Sequence, residues 1–271
     1  MRAVTLLGMS GVGKTTLSLK APQAQWFHYS VDYRIGTRYL GEEINDSLIK
    51  CAMQSPALAS LLRTDSIYIG SNISFGNLAP LSQWVGKIGD AAKGGLPLKE
   101  FKRRQALHRD AEIQALLDVE RFMNRAGDLY GYQNFLVDAG GSIIEVVDVD
   151  NPDEDLVLSM LKRIGSMIYI QAVPDLYSDL VERSIKCPKP MYYNPEFLDE
   201  SLDLYLSQTG ETNADLIDPD SFVRFMIPRC TDFRADRYRR LLSNFGHTIT
   251  SDDAMAVKDE TAWEALLSSI A

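Results

Sequence analysis

The amino-acid sequence predicts an α/β fold in which a parallel five-stranded sheet lies between two layers of helices. Short apolar runs recur along the chain, and helical patterns separate most of them. This alternation is typical of parallel strands joined by crossover helices. A glycine-rich turn follows the first apolar run directly, and residues 42–128 interrupt the alternation with helical patterns alone. We therefore expect one α/β core that carries an α-helical insertion.

Five segments have the composition of buried strands and define the predicted sheet. They are residues 2–7, 26–30, 134–137, 167–170 and, with a weaker pattern, 247–250. The regions between most of them have the spacing of apolar residues that is expected of amphipathic helices.

The interrupting segment contains two helical patterns. Residues 48–62 are interpreted as helical, and apolar residues recur at helical spacing in a long helix over residues 98–126. The glycine-rich stretch 86–97 between them is interpreted as a flexible linker. The predicted division of the chain is a core of residues 1–41 and 129–271 and a substrate- or partner-binding insertion of residues 42–128.

The turn after the first strand fits the phosphate-binding loop pattern. It reads Gly8-Met9-Ser10-Gly11-Val12-Gly13-Lys14-Thr15-Thr16. Its glycines let the backbone curl so that N–H groups cradle a polyphosphate, and the following helix adds its N-terminal dipole. Lys14 would contact the outer phosphates, and the Thr15 hydroxyl would bind Mg²⁺. The pattern predicts a P-loop NTPase three-layer sandwich whose nucleotide site is formed by Gly8, Ser10, Gly11, Val12, Gly13, Lys14, Thr15 and Thr16.

Composition narrows the class of protein. The chain has 271 residues, of which 45% are hydrophobic and 24% charged, as in an ordinary globular protein. Its net charge of −9 argues against a nucleic-acid partner, because an acidic surface repels a phosphate backbone. No apolar run has the length of a membrane span, and the three cysteines are widely spaced. We expect a cytoplasmic protein with no membrane partner and no transition-metal site.

An acidic residue, Asp32, comes directly after the second predicted strand, and Arg34 follows two positions later. Because ligands bind parallel sheets at the carboxyl ends of the strands, Asp32 and Lys14 should face the same cleft. There, Asp32 can accept a proton from a substrate hydroxyl, and Arg34 can bind an anionic group of the substrate. The alternative is structural: Asp32 caps the following helix, and Arg34 is a solvated surface charge.

The succession of strand, phosphate loop, short helix, strand and Asp32 resembles shikimate kinase and the wider nucleoside-monophosphate-kinase-like group of small-molecule kinases. The run Asp138-Ala139-Gly140-Gly141 resembles the family's third strand end and its glycine pair. Residues 180–191 resemble its basic lid, and Arg234 to Tyr238 resemble its Arg-x-x-x-Tyr element, which opens the last long helix. The motifs occur in the family's order outside residues 42–128.

The resemblance implies roles for several residues. Gly140, Gly141 and Arg234 would contact the substrate, and Arg183 and Lys189 of the lid would be catalytic. The family usually has arginine at the position of Lys189, so this chain keeps the charge but loses the bidentate fork.

A second departure concerns the metal. Ser30 stands where the family usually has another acidic residue that helps to hold Mg²⁺. Asp138, at the end of a hydrophobic strand, can replace it, so the predicted metal ligands are Thr15 and Asp138.

Together these patterns predict an enzyme that uses ATP and Mg²⁺. It would move the γ-phosphoryl group to a small hydroxyl-bearing or phosphorylated metabolite, with Lys14, Asp32, Arg183 and Lys189 as catalytic residues. The alternative is a regulatory P-loop ATPase or switch protein whose insertion binds a protein partner. The position of Asp32, the glycine pair and the basic lid favour the kinase, whereas the length of the insertion favours the switch.

Overall fold

A computed structural model describes residues 1–242 and 246–270 and contains the predicted sheet. Its strands are β1 (Arg2–Leu7), β2 (Trp26–Ser30), β3 (Asn134–Asp138), β4 (Ser166–Gln171) and β5 (His247–Thr250). The strands pair in parallel in the order β2-β3-β1-β4-β5. Because helices cover both faces of this sheet, the predicted fold class is confirmed.

The helices form two layers. Those of the described residues are α1 (Lys14–Ser18), α2 (Val31–Arg34), α3 (Gly41–Ala52), α4 (Pro56–Arg63), α5 (Ala79–Val85), α6 (Leu98–Tyr130), α7 (Ile143–Val146), α8 (Leu156–Ile164), α9 (Pro174–Lys186), α10 (Pro195–Thr209), α11 (Pro219–Leu242), α12 (Ser251–Ala256) and α13 (Glu260–Ser269). One face of the sheet packs on α1 and α13 through Leu17 and Trp263. The other packs on α6 and α8 through Leu116 and Leu158. None of the helices in residues 1–242 and 246–270 has both the length and the apolarity needed to cross a membrane.

The strand register brings three chain segments to one edge of the sheet. Asp138, the last residue of β3, pairs with Leu6 of β1 and with Ser30 of β2. The phosphate loop begins directly after β1, and α2 begins directly after β2. The segments that follow β1, β2 and β3 therefore leave the sheet side by side.

The helices of residues 42–128 differ in part from the prediction. Residues 48–62, which the sequence analysis interprets as helical, form the end of α3 and most of α4, with a break between the two helices. Ser55 has an extended backbone, with φ −89° and ψ 117°, as is usual before a proline, and Pro56 opens α4. The predicted long helix is confirmed as α6, which ends at Gly131, where φ is 73°.

Helix α6 packs along the sheet. Leu116 and Val119 are fully buried in the same cluster as Phe135 of β3. The hydroxyl of Tyr29 in β2 donates a hydrogen bond of 2.6 Å to the carbonyl oxygen of Ala115. The predicted insertion thus shares a hydrophobic core with the sheet, and its separate role in binding stays a prediction.

Residues 86–97 are a packed turn, so the interpretation as a flexible linker was wrong. Ile88 is fully buried, and the nitrogen of Gly89 donates a hydrogen bond of 3.0 Å to the oxygen of Leu96. A Cβ on Gly89 would lie only 2.4 Å from the carbonyl oxygen of Ile217. The glycine is therefore required for close packing of this turn on the chain before α11.

Candidate functional site

The phosphate loop connects β1 to α1 in the conformation that its glycines allow. Gly8, Gly11 and Gly13 have φ values of 147°, 88° and 100°, which other residues rarely adopt. Val12 is buried and anchors the loop in the core. The remaining predicted nucleotide contacts, Ser10, Thr15 and Thr16, are exposed. The loop is thus open to solvent on the side where a polyphosphate would bind.

Lys14 begins α1 and is buried beneath the loop. Its Nζ donates hydrogen bonds of 2.7 Å to the carbonyl oxygen of Gly8 and 3.0 Å to that of Met9. Burial lowers the pKa of Lys14, while the negative charges of Asp138 and Asp32 raise it. Lys14, Asp32 and Asp138 therefore interact electrostatically although they follow different strands.

Thr15 and Asp138 meet between the loop and the end of β3. The Thr15 hydroxyl donates a hydrogen bond of 2.7 Å to Oδ2 of Asp138. One hydroxyl oxygen and one carboxylate oxygen are hard donors, the type that Mg²⁺ prefers, so these residues fit the predicted metal. Ser30, at the position of the missing acid, has a different role: its Oγ accepts from the backbone nitrogen of Tyr33 at 3.3 Å and caps α2.

Asp32 lies in the first turn of α2, next to the glycine pair. A Cβ added to Gly140 would lie 2.5 Å from Oδ1 of Asp32, so this carboxylate occupies the space that the glycine leaves open. Gly141 is close to the phosphate loop, since its Cβ would lie 3.1 Å from the nitrogen of Ser10. Burial, followed by the charge of Asp138, raises the pKa of Asp32 to about 6. A carboxylate with this pKa is largely ionised at pH 7 and can accept a proton.

Arg34 is engaged elsewhere. Its guanidinium donates to Oδ2 of Asp118 in α6 at 2.9 Å, and its central carbon lies 4.4 Å from the ring centroid of Phe122. The hydroxyl of Tyr39 donates to the same Asp118 oxygen at 2.6 Å. Arg34 therefore joins α2 to α6, and its predicted contact with substrate stays a prediction.

Arg234 lies well inside α11 and not at its start, which corrects the predicted position of the Arg-x-x-x-Tyr element. Its Nε donates to Oε1 of Glu145, and its terminal nitrogen donates to the carbonyl oxygen of Tyr192 at 3.3 Å. Glu145 also accepts from the backbone nitrogen of Asn194 at 2.6 Å. The buried Arg234 is thus held by an acid that the sequence analysis did not select.

Glu112 is a second acidic residue that the sequence analysis did not select. It is fully buried on α6, and its Oε2 accepts from the hydroxyl of Ser142 at 2.7 Å. Burial, followed by the charge of Asp32, raises the pKa of Glu112 to about 8. One signal was present in the sequence: Glu112 lies on the apolar side of α6, beside Ala111 and Leu116, where a solvated charge is not expected.

The predicted lid segment lies beside the phosphate loop, but its two predicted catalytic residues, Arg183 and Lys189, are exposed. A Cβ on Gly11 would lie 2.5 Å from Cδ2 of Leu180, so α9 packs on the loop. Arg183 donates from Nε to the carbonyl oxygen of Asp179 at 3.3 Å, within its own helix. Lys189 is also exposed. The structure does not bring these two charges to Lys14, and their catalytic role stays a prediction.

A cavity of about 80 Å³ lies between α9, α11 and the phosphate loop. It is mostly apolar, and its lining includes Met9, Ser10, Leu180, Cys230 and Arg234. The cavity is therefore continuous with the loop on one side and with the buried Arg234 on the other.

Comparison with known proteins gives one kind of match. No protein-family model matches the chain, and no curated protein matches it. Among solved structures, it is similar to the crystal structure of shikimate kinase from Bacteroides thetaiotaomicron, with 16% sequence identity and a TM-score of 0.41. The match covers 98% of this chain and 97% of that one. This similarity is too low to support a conclusion about function.

Proposed function

We propose that the protein is an ATP-dependent phosphotransferase that acts on a small hydroxyl-bearing or phosphorylated metabolite. The observation that carries the proposal is the convergence of Lys14, Asp32 and Asp138 at the carboxyl ends of three adjacent parallel strands. A phosphate loop alone would serve any nucleotide-binding protein. A carboxylate with a pKa of about 6 facing that loop supplies what a phosphotransferase needs in addition.

The proposed step is an in-line displacement at the γ-phosphorus of ATP. The acceptor hydroxyl oxygen forms a bond to phosphorus while the bond to the β–γ bridging oxygen breaks, and ADP leaves with that electron pair. Asp32 takes the hydroxyl proton. Lys14 contacts the phosphates and stabilises the negative charge that grows on the leaving group.

Thr15 and Asp138 would hold Mg²⁺ in the proposed enzyme. When bound, the ion would neutralise phosphate charge and orient the polyphosphate. Gly140 lacks a side chain, which leaves room for the Asp32 carboxylate beside the phosphate loop. Arg183 and Lys189 would reach the phosphates only after movement of the lid, and that movement is part of the proposal.

A second candidate function is a nucleotide-driven switch with a protein partner. It is favoured by a group of large apolar side chains that residues 42–78 leave exposed: Leu48, Leu58, Leu61, Tyr68 and Phe75. Apolar side chains that form one contiguous exposed patch are typical of interaction surfaces. A switch, however, has no use for an acceptor-side base, which Asp32 would provide.

The experiment that separates the two functions is a screen for stimulated ADP release. The protein is incubated with ATP and Mg²⁺ and with hydroxyl compounds of different classes, and each stimulated reaction is examined by ³¹P NMR for a new phosphate ester. The phosphotransferase predicts that a small molecule accelerates ADP release and is itself phosphorylated. If only a protein partner accelerates release and no ester forms, the switch is correct.

A further inference from the structure

His28 in β2 has an unpartnered ring nitrogen close to the residues that would hold the metal ion. Its Nε2 is buried and has no hydrogen-bond partner within residues 1–242 and 246–270. This atom lies 3.9 Å from Oδ2 of Asp138, the carboxylate oxygen that also accepts from the hydroxyl of Thr15. The side chains of His28 and Asp138 are only 17% and 7% exposed. A buried nitrogen without a partner is costly, and the neighbouring carboxylate is a group that can satisfy it.

The register of the sheet explains why these two side chains meet. Ser30 of β2 pairs with Asp138 of β3. His28 precedes Ser30 by two positions, so both side chains lie on the same side of β2. The hydroxyl oxygen of Ser30 caps α2, whereas the imidazole of His28 approaches the carboxylate of Asp138. His28 is therefore the residue of this strand that is placed to support Asp138.

The segment between α4 and α5 packs on the ring of His28. The centroid of the Phe75 ring lies 5.1 Å from that of His28, with an angle of 65° between the ring planes. The same Phe75 ring packs edge-on against Tyr33 of α2, at a centroid distance of 4.8 Å. Such edge-to-face contacts are favourable and directional, so they hold the imidazole in place beside Asp138.

The charge of Asp138 determines which nitrogen of the ring carries the proton. Burial lowers the pKa of His28, whereas the negative charge of Asp138 raises it. In the neutral ring the proton is favoured on Nε2, because an N–H group beside a carboxylate is attracted and a lone pair there is repelled. Nε2 is then a donor, and a shift of about 1 Å in either side chain brings it within hydrogen-bond distance of Oδ2.

We propose, on the basis of the phosphotransferase function above, that His28 is a positioning residue of the metal site and that its Nε2–H group donates to the carboxylate of Asp138 when Mg²⁺ and nucleotide bind. This hydrogen bond holds the carboxylate in the orientation in which it meets the ion beside Thr15. Residues that hydrogen-bond to a metal-binding carboxylate fix its orientation, and their loss typically lowers metal affinity about 10- to 100-fold. His28 itself contacts neither the ion nor the phosphates.

The test measures metal affinity and not turnover. Mn²⁺ serves as the probe, because it takes the same oxygen ligands as Mg²⁺ and its free ion is detected by EPR. It is titrated into the protein together with a non-hydrolysable ATP analogue. His28→Phe keeps an aromatic ring against Phe75 and removes the donor, so it should raise the dissociation constant of Mn²⁺ about 10- to 100-fold. His247→Phe, at an exposed position of β5, is the control and should leave this constant unchanged.

Two further measurements separate positioning from a general loss of structure. The affinity of His28→Phe for the analogue without metal should equal that of the wild type, because the phosphate loop is intact. If His28 acts through Asp138, the effect of His28→Phe should also disappear in a chain that already carries Asp138→Asn.

The outcomes distinguish this inference from the function on which it rests. Wild-type affinity for Mn²⁺ in His28→Phe overturns the role of His28, while the phosphotransferase stands. An equal loss of metal-free nucleotide affinity, or a full effect of His28→Phe in the Asp138→Asn chain, also overturns it. If the wild type itself binds no Mn²⁺ with the analogue, the phosphotransferase fails and the role of His28 fails with it.

Discussion

Substituting Gly140 with alanine tests the geometry of the site by adding one methyl group. The φ of Gly140 is not in the left-handed region, so its backbone accepts alanine without strain. The new Cβ would meet Oδ1 of Asp32 at 2.5 Å, well inside van der Waals contact. The Asp32 carboxylate must therefore move by about 1 Å, and a displacement of that size can cost about 100-fold in rate.

The assay is the turnover of ADP release with the acceptor found by the screen. Gly140→Ala should lower kcat about 100-fold and leave the affinity for ATP and Mg²⁺ unchanged, because the methyl group approaches the acceptor side. Gly76→Ala is the matched control, since a Cβ there meets no atom within 4 Å. Turnover of Gly140→Ala at the wild-type rate would refute the placement of Asp32 against this glycine.

Three further predictions concern the acids around the site. Glu145→Ala leaves the buried Arg234 without its ion-pair partner and should destabilise the protein by about 3–5 kcal/mol in urea unfolding. Asp138→Asn removes a carboxylate oxygen beside Thr15 and should raise the Mg²⁺ concentration for half-maximal activity at least about tenfold. The pKa of Glu112 is about 8 in the folded protein and 4.5 in the unfolded chain. Between these pH values the folded state therefore binds one more proton than the unfolded state, and the free energy of unfolding falls as the pH rises. Glu112→Gln should therefore lose less stability than the wild type between about pH 5 and pH 8.

Each of these predictions has a result that contradicts it. The control for Glu145→Ala is Glu182→Ala, which breaks an exposed ion pair with Lys186 and should lower the free energy of unfolding by less than about 1 kcal/mol. If Glu145→Ala lowered it by no more than this control, burial would not explain the strength of the Glu145–Arg234 pair. An unchanged Mg²⁺ requirement in Asp138→Asn would exclude this residue from the metal site. Parallel stability curves for Glu112→Gln and the wild type would mean that Glu112 does not carry the extra proton.

The sheet and the phosphate loop could be predicted because their signals are local. Short apolar runs predict the strands, and the spacing of Gly8, Gly13 and Lys14 predicts the phosphate loop. The proximity of Asp32 and Lys14 followed from one rule, that ligands bind at the edge where parallel strands end. The break between α3 and α4 was also encoded locally, since Pro56 disfavours a helical residue before it.

The remainder of the site depends on contacts between distant segments. Arg34 is mostly buried because it pairs with Asp118 on another helix. The sequence alone does not show that these two residues meet. The helical position of Glu112 indicates that it is buried but does not show that Ser142 is its partner. For Glu145, only the packing of α11 on α7 shows that it is buried and that it pairs with Arg234. Sequence spacing along one chain segment does not contain that information.

The central claim is that Asp32 accepts a proton from an acceptor hydroxyl during phosphoryl transfer. The most direct measurement compares Asp32→Asn with the wild type in phosphate-ester formation and in binding of ATP with Mg²⁺, with the exposed Asp46→Asn as control. Loss of a general base should lower transfer about 100- to 10,000-fold while nucleotide affinity stays unchanged. Ester formation by Asp32→Asn at the wild-type rate would contradict the claim.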